Sequence, residues 1–476
     1  MTSILKKAYD PDDFRKRGHR LIDDLADHLE RTLEEKSKNT TSWNPPEKEH
    51  VFWKEFLQSG DEGQFFKEVL NHTIHLHHPK YMGHQASPTA PITALSSMVG
   101  ALLNNGMAVY EMGMAPTMIE KIITDLLCAK IGFGPDASGF LTSGGTLANL
   151  TALLTARKAS ASYDVWNEGN SKSLGIIVSE EAHYCVDRAA KIMGLGSQGV
   201  IKIPSNAMFS MDTSLLESYY NEALAKNIEI FAVVGSAPST ATGIYDDLEA
   251  LADFSERHNL WFHVDGAHGG AALFSEKYKH TLKGMDRADS MVIDGHKMMM
   301  MPMITTALLF KKEQNSYATF SQKADYLLEQ SAEKDWYNSG RRTFECTKTM
   351  MCLSWYILHK TYGEELFDAF VTTLYDLGLT FGDMVKEDPQ FELAVAPMSN
   401  IVCFRYKDAH LDNVETDKIN LGIRKTLLEE SEYYIVQTKL RGRSYLRVTL
   451  MNPFTTRKHL TSLLSRIKEL AKISQT

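Results

Sequence analysis

Cysteine is scarce in this sequence. The 476 residues hold five, Cys128, Cys185, Cys346, Cys352 and Cys403, scattered along the chain with no CxxC pair. An odd, dispersed set makes no disulfide framework and reads as reduced thiols in a cytosolic protein. An excess of positive charge is missing too. Fifty-one Lys and Arg against 60 Asp and Glu leave a net charge of -9, so no basic field is available for nucleic acid or acidic lipid. No apolar run approaches the length of a membrane span, and the opening "MTSILKKAYDPDDFRKRG" is too charged for a signal peptide. Repeats and low-complexity tracts are also absent. These absences predict a soluble, cytoplasmic protein that binds neither nucleic acid nor membrane.

What is present is a chain 43% hydrophobic and 23% charged, long enough for two or three domains around a large core. Asp10 before Pro11 signals a helix start, and Phe14, Leu21, Leu25 and Leu29 recur at helical spacing. That apolar stripe needs a partner surface, so residues 1–75 are expected to be a helical segment that embraces another subunit or domain. "TSWNPP" (41–46) breaks it. From about residue 76 strand-like runs alternate with helices: "LGIIVSE" (174–180), "IEIFAVVGS" (228–236), "LWFHVDGA" (260–267) and "SMVIDGH" (290–296), with helical stretches such as "DDLEALADFSERH" (246–258) between them. This predicts an α/β domain over 76–361, with a largely parallel sheet covered on both faces. Residues 362–476 read as a smaller α+β domain. It contains "NIVCFRY" (400–406), "YLRVTLMNP" (445–453) and a closing helix with Leu460, Leu463, Leu464, Ile467 and Leu470 on one side.

Reactive residues fall where open α/β sheets bind ligands, beyond the carboxyl ends of the strands. Asp265 closes the apolar run "WFHVD". It is either a turn residue or an acid aimed at a ligand's positive nitrogen, where low dielectric strengthens the pair. In "LTSGGTLANLTALLTAR" (141–157) small residues lead directly into an amphipathic helix, whose free backbone N–H groups suit a phosphate. His183 follows another strand and opens another helix. "GSAPSTATGIYDD" (235–247) adds hydroxyls past a further strand. Lys297, in "VIDGHKMMMMP" (292–302), ends an apolar run where a bare buried ammonium is costly unless something uses it. A phosphate, a cationic ring nitrogen, a flat ring for an imidazole and a lysine together describe a phosphorylated pyridinium aldehyde.

At this point the sequence resembles the pyridoxal-phosphate-dependent group II amino-acid decarboxylases, which include the aromatic, glutamate, cysteine-sulfinate and 2,4-diaminobutyrate decarboxylases. The resemblance runs from about His72 to Pro453 and rests on "HVDGAHGG" with "DGHK" farther on. It implies a fold-type I, aspartate-aminotransferase-like architecture with a seven-stranded sheet, and pyridoxal 5'-phosphate as cofactor. It also implies a homodimer with the active site at its interface. Residue by residue, Lys297 matches the Schiff-base lysine and His296 its neighbour on the phosphate. Asp265 matches the acid on the pyridine nitrogen, Ala267 the small residue under the ring, and His183 the stacking imidazole. Gly145 and Thr146 match the phosphate turn, Thr240 a hydroxyl near the cofactor, and Tyr326 the catalytic tyrosine of a mobile loop. Arg447 matches an arginine that holds the substrate's α-carboxylate in some members.

This sequence departs from the family pattern at three places. Asp294-Gly295 stands where many members have Asn-Pro before the His-Lys pair, Gly266 replaces an alanine, and Pro238 replaces a common glycine. The reaction expected is α-decarboxylation of an L-amino acid to an amine, with a 2,4-diaminobutyrate or acidic side chain favoured. His84 resembles the pattern of the diaminobutyrate enzymes. The alternatives are an aromatic substrate, or a carbon–carbon lyase or aminotransferase reaction on the same fold. A scaffold that has lost its chemistry is disfavoured by the joint presence of Lys297, Asp265 and His183. The run His72, His75, His77, His78 lacks carboxylate or cysteine partners at tidy spacing, so no metal is expected there.

Overall fold

The computed structural model describes residues 2–320 and 336–475. They divide into two compact units. One comprises residues 85–382 with 395–402, the other residues 1–84, 383–394 and 403–476.

The first unit is built on seven strands: β1 (Ser138–Thr142), β2 (Ser173–Ser179), β3 (Val200–Ile203), β4 (Ile228–Ser236), β5 (Trp261–Asp265), β6 (Ser290–Asp294) and β7 (Thr306–Phe310). Their order is β1-β7-β6-β5-β4-β2-β3. All neighbours run parallel except β7, which is antiparallel to both β1 and β6. The expected mostly parallel seven-stranded sheet is therefore present. Its strands form because their apolar runs can be buried on both faces, which is why they do not alternate with polar residues. Every residue of β1, β5, β6 and β7 is buried.

Helix Gly145–Ser160 lies against this sheet through Ala148, Ala152 and Ala156, all fully buried and four residues apart. Side chains at that spacing share one face, and alanines let the helix axis approach the strands closely. Leu153 adds a larger apolar group to the same interface, worth about 2 kcal/mol on burial. Helix Leu248–His258 starts at Asp247, whose side chain accepts from the N–H of Ala250 at 3.0 Å, and stops at Asn259 in the left-handed conformation. The parallel register pairs Ser236 of β4 with Asp265 of β5, so these two strands end side by side.

The second unit holds β8 (Phe391–Leu393), β9 (Ile401–Tyr406), β10 (Val436–Leu440) and β11 (Arg443–Thr449) in the order β10-β11-β9-β8. The β10–β11 hairpin turns through Arg441 and Gly442, both at positive φ, as two-residue hairpin turns demand. Helix Asn413–Glu430 begins with a capping box between Asp412 and Glu415. Helix Arg457–Gln475 buries Leu460, Leu463, Leu464, Ile467 and Leu470, the face its spacing predicted. Asp10 caps helix Pro11–Leu33 by accepting from the N–H groups of Asp12 and Asp13. The apolar stripe of that helix is only partly covered among the described residues: Leu21 and Leu29 are half-buried, but Phe14 is 53% exposed and Leu25 39%.

The sequence reading cut the chain at 75/76 and 361/362, whereas the compact units divide at 84/85 and 382/383. The helical run Cys352–Glu387 continues through residue 362, interrupted only at Gly363 (φ 67°). The first 84 residues cluster with the C-terminal residues instead of standing alone. No described helix is long and apolar enough to cross a membrane.

Candidate active site

A cavity of about 340 Å³ in the first unit is lined by Gly145, Thr146, His183, Thr240, Asp265, Ala267, His296 and Lys297. Eight residues singled out from the sequence thus meet in one place. Each ends a strand, follows one or opens a helix, which is why a parallel sheet gathers them at its carboxyl edge. Ser143, Gly144, Asn149, Cys185, Ser236, Pro238, His268, Asp294 and Ile304 complete the wall.

Lys297 stands three residues beyond β6. Its Nζ lies 3.0 Å from Oδ2 of Asp294, which is almost fully buried. The other carboxylate oxygen of Asp294 accepts from the hydroxyl of Thr306. Nδ1 of His296 sits 3.0 Å from the carbonyl of Thr305, and its Nε2 faces Asp294 at 3.6 Å. In the sequence Asp294 stands out only as part of a departure from the family pattern before the His-Lys pair. Its position at the end of a buried strand, three residues before the lysine, was the signal that it belongs to the site.

The turn before helix Gly145–Ser160 has Gly144 at φ +100°, open to glycine and hard for other residues. A Cβ on Gly145 would lie 3.1 Å from Oδ1 of Asp294 and 3.5 Å from the Cβ of Ala267. The first N–H groups of the helix have no intrahelical partners, so bare backbone donors face the cavity where no side chain intrudes.

Asp265 is nine-tenths buried. One carboxylate oxygen accepts from the N–H of Ala267 at 3.2 Å, and the other has the thiol of Cys185 at 4.0 Å. Two contacts of this kind leave the carboxylate with acceptor capacity. Burial, followed by the charge of Asp265, pushes the Cys185 thiol up, so that thiol is an inert neighbour and not a nucleophile. His183 accepts from the N–H of Cys185 at its Nδ1, 3.3 Å away. Burial lowers the imidazole below its ordinary value, with Lys297 acting in the same direction while Asp265 and Asp294 oppose it. A neutral, flat ring results, suited to lying against another ring.

His84 and Arg447, the two expected substrate residues, belong to the second unit. Its hydrogen-bonded segments tie residues 81–84 to the sheet: the N–H of Met82 donates to Tyr434 O, and that of Thr449 to Met82 O. The His84 ring is 5.8 Å from that of Tyr434. Partial burial, then the charges of Arg447 and Arg424, push the His84 imidazole down. Arg447 is nine-tenths buried, yet it is bonded to Thr449 Oγ1 at 3.3 Å and to no carboxylate among the described residues. Nε of Arg447 and Nε of Arg424 are both buried without hydrogen-bond partners. Arg424 was missed from the sequence.

The histidine run of the same unit is used in packing. His72 bonds Glu49 at 3.0 Å and stacks on Phe52, and His75 lies against His28 with ring centroids 5.1 Å apart. His78 Nδ1 accepts from the N–H of Lys80, while its Nε2 reaches Ser37 O. No group of three or more His, Cys, Asp or Glu among the described residues is placed to hold a metal ion. Tyr326 lies outside the described residues.

The donor set fits a phosphorylated pyridine aldehyde. A helix N-terminus with bare glycines suits its phosphate, a buried carboxylate with spare capacity suits its ring nitrogen, and an amine at the same wall suits its aldehyde. The cavity's volume lies near the lower end of the range for small-molecule pockets. The family model described as the pyridoxal-dependent decarboxylase conserved domain matches residues 62–407. The aspartate 1-decarboxylase of Aliivibrio fischeri is 28% identical, with 86% of this chain and 82% of that protein covered. The aromatic-L-amino-acid decarboxylase of Bacillus atrophaeus is 26% identical, with coverage of 85% and 84%. The solved glutamate decarboxylase domain of the diaminobutyrate-pyruvate transaminase and L-2,4-diaminobutyrate decarboxylase from Vibrio parahaemolyticus superposes with a TM-score of 0.81. It is 26% identical, with 95% of each chain covered. With a family match over most of its length and a cavity whose donors suit that family's cofactor, the chain belongs to the pyridoxal-dependent decarboxylases, enzymes that decarboxylate amino acids with pyridoxal 5'-phosphate.

Proposed function

We propose that this decarboxylase acts on an acidic L-amino acid of the aspartate type, releasing carbon dioxide and the corresponding amine. The observation that carries the substrate class is the pair Arg447 and Arg424. Arg447 is buried and Arg424 half-buried with its Nε enclosed, and both bear on His84 with no carboxylate partner among the described residues. Such a cluster attracts carboxylates and repels an ammonium side chain. The aspartate 1-decarboxylase relative supports the same class. The second reading is 2,4-diaminobutyrate, supported by the Vibrio parahaemolyticus relative.

In this reading Lys297 holds the cofactor through its side-chain amine. The N–H groups at Gly145 and Thr146 bind its phosphate, with His296 and the Thr240 hydroxyl beside it. His183 covers one face of the ring, and Ala267 leaves the other free of bulk. Asp265 keeps the proton on the ring nitrogen. Bound pyridoxal phosphate supplies an electron sink for the pair left on the α-carbon when carbon dioxide departs. Tyr326 then delivers a proton to that carbon. The exposed part of the apolar stripe on helix Pro11–Leu33 supports a homodimer, and the family resemblance supports an active site at its interface.

The test is an amine-release screen of the loaded protein over the proteinogenic amino acids, 2,4-diaminobutyrate and cysteine sulfinate. Aspartate or a close acidic analogue should give the highest kcat/KM. Preference for diaminobutyrate would select the second reading. Borohydride reduction of the loaded protein should place the cofactor label on Lys297, and a label on another lysine would overturn the assignment.

A further inference from the structure

Behind the phosphate turn runs a buried line of polar side chains, of which only Asn149 borders the cavity. Nε1 of Trp261 donates to Ser290 Oγ at 2.9 Å, and Ser290 Oγ lies 2.8 Å from His263 Nδ1. His263 Nε2 lies 2.7 Å from Asn149 Oδ1, and Asn149 Nδ2 donates to the carbonyl of Gly145 at 2.9 Å. Asn149 and Trp261 are nearly fully buried, and His263 and Ser290 completely so.

The direction of every proton in this line follows from its two ends. Gly145 O can only accept, so the amide group facing it is the NH2 of Asn149, and Asn149 Oδ1 must face His263. That oxygen can only accept, so Nε2 of His263 carries the hydrogen. Burial holds His263 far below its ordinary value, at about 4, so the ring is neutral and its Nδ1 is bare. Ser290 therefore donates to Nδ1 and accepts from the Trp261 indole, which can only donate. Each donor has one acceptor, and the line admits one arrangement.

Its terminus is informative. Gly145 is the first residue of helix Gly145–Ser160, and a Cβ on it would lie 3.1 Å from Oδ1 of Asp294, so a side chain there would crowd that carboxylate. At the other end, His263 is two residues before Asp265 on β5, hence on the same face of that strand. The line thus joins the strand that carries the cavity's carboxylate to the turn that offers its backbone donors. We propose that Asn149 and His263 are positioning residues for the cofactor's phosphate, acting through the Gly145 carbonyl to set the angle at which the helix N-terminus meets it. Networks of this kind constrain geometry because a half-satisfied member is costly to bury. The inference rests on reading the Gly144–Thr146 turn as the phosphate site.

The experiment uses apo-protein titrated with pyridoxal phosphate, with pyridoxal, which lacks the phosphate, and with inorganic phosphate as competitor. Binding is followed by cofactor absorbance. Asn149→Leu keeps the size of the side chain and removes both polar ends. It should weaken pyridoxal phosphate roughly tenfold and change pyridoxal by less than about threefold, with competition by phosphate weakened in step. His263→Gln keeps an N–H that can reach Asn149, and should hold the ratio of the two affinities close to that of the unaltered protein. Equal losses for both ligands, or none for either, would overturn the inference. If Asn149→Leu fails to fold, His263→Phe is titrated in its place, with the same loss specific to phosphate expected and the same outcomes overturning the inference. Competition by phosphate that Asn149→Leu leaves unchanged would overturn the inference alone. Failure of phosphate to compete in the unaltered protein would overturn the reading of the turn as well.

Discussion

Oδ2 of Asp294 stands 3.0 Å from Nζ of Lys297, and the carboxylate is almost fully buried. Members of the family that this sequence resembles commonly carry an amide there. An acid at this distance is a counter-ion to Lys297 while the lysine is a free ammonium, and imine formation with the cofactor, which removes at least two of that nitrogen's N–H groups, would weaken the pair. The pair therefore serves the protein before loading. Asp294→Asn should destabilise the apo-protein by about 2 kcal/mol, less than a fully buried pair because Lys297 keeps some solvent contact. The loaded protein should change much less. Thermal unfolding with and without pyridoxal phosphate measures both, and equal losses in the two forms would show that the pair persists after loading.

Asp265 is the second carboxylate of the cavity, and its environment differs. It faces a backbone N–H and a neutral thiol rather than an ammonium, so its charge is available to a ligand. Asp265→Asn preserves shape and removes that charge. Turnover should fall roughly a hundredfold or more, the scale of losing one strong electrostatic group, while the fold persists by circular dichroism. Near-normal turnover would reduce Asp265 to a turn residue.

Arg447 and Arg424 separate the two substrate readings. Arg447→Leu should raise KM for every amino acid accepted, by roughly tenfold or more for a lost charge-assisted contact. Arg424→Gln should raise KM for aspartate and leave that for 2,4-diaminobutyrate unchanged or lower. Steady-state kinetics with both substrates on both variants decide this, and an Arg424→Gln enzyme with unaltered aspartate kinetics would remove the argument for an acidic side chain.

Much of this fold was legible because buried parallel strands advertise themselves. "IEIFAVVGS" became β4 over the same nine residues, since an unbroken apolar run of that length has few other places to go. The cavity was legible for a related reason: Asp265 and Lys297 are polar residues that end apolar runs, and such residues cannot stay buried without a task. Asn149 and His263 gave no such signal. A polar residue on an amphipathic helix and a histidine inside a strand look ordinary until the helix is laid on the sheet, because their partners are 114 residues apart in sequence. Arg424 was hidden in the same way, within a helix rich in charged residues. The division at 382/383 was hidden because it falls inside the helical run Cys352–Glu387, whose one interruption is at Gly363.

His263 also predicts how stability depends on pH. It is completely buried, and burial lowers it from 6.5 to about 4, with the charge of Asp265 only partly opposing that shift. A base held below its unfolded value contributes nothing adverse above pH 6.5, where it is neutral in both states. As pH falls from about 6.5 towards 4 the unfolded chain takes up a proton that the folded chain refuses, so stability is lost across that window and levels off below it. The magnitude is about 3 kcal/mol at about 1.4 kcal/mol for each pH unit of displacement. His263→Gln removes this titration while leaving His75, which is also held at about 4, and all carboxylates in place. The difference between the two proteins therefore isolates one group. Denaturant unfolding at pH 7 and pH 4.5 should show the variant losing less stability on acidification than the unaltered protein. Parallel losses would mean that His263 is charged in the folded state. That outcome would also break the proton order of the line from Trp261 to Gly145, since a charged ring would place an N–H on both of its neighbours.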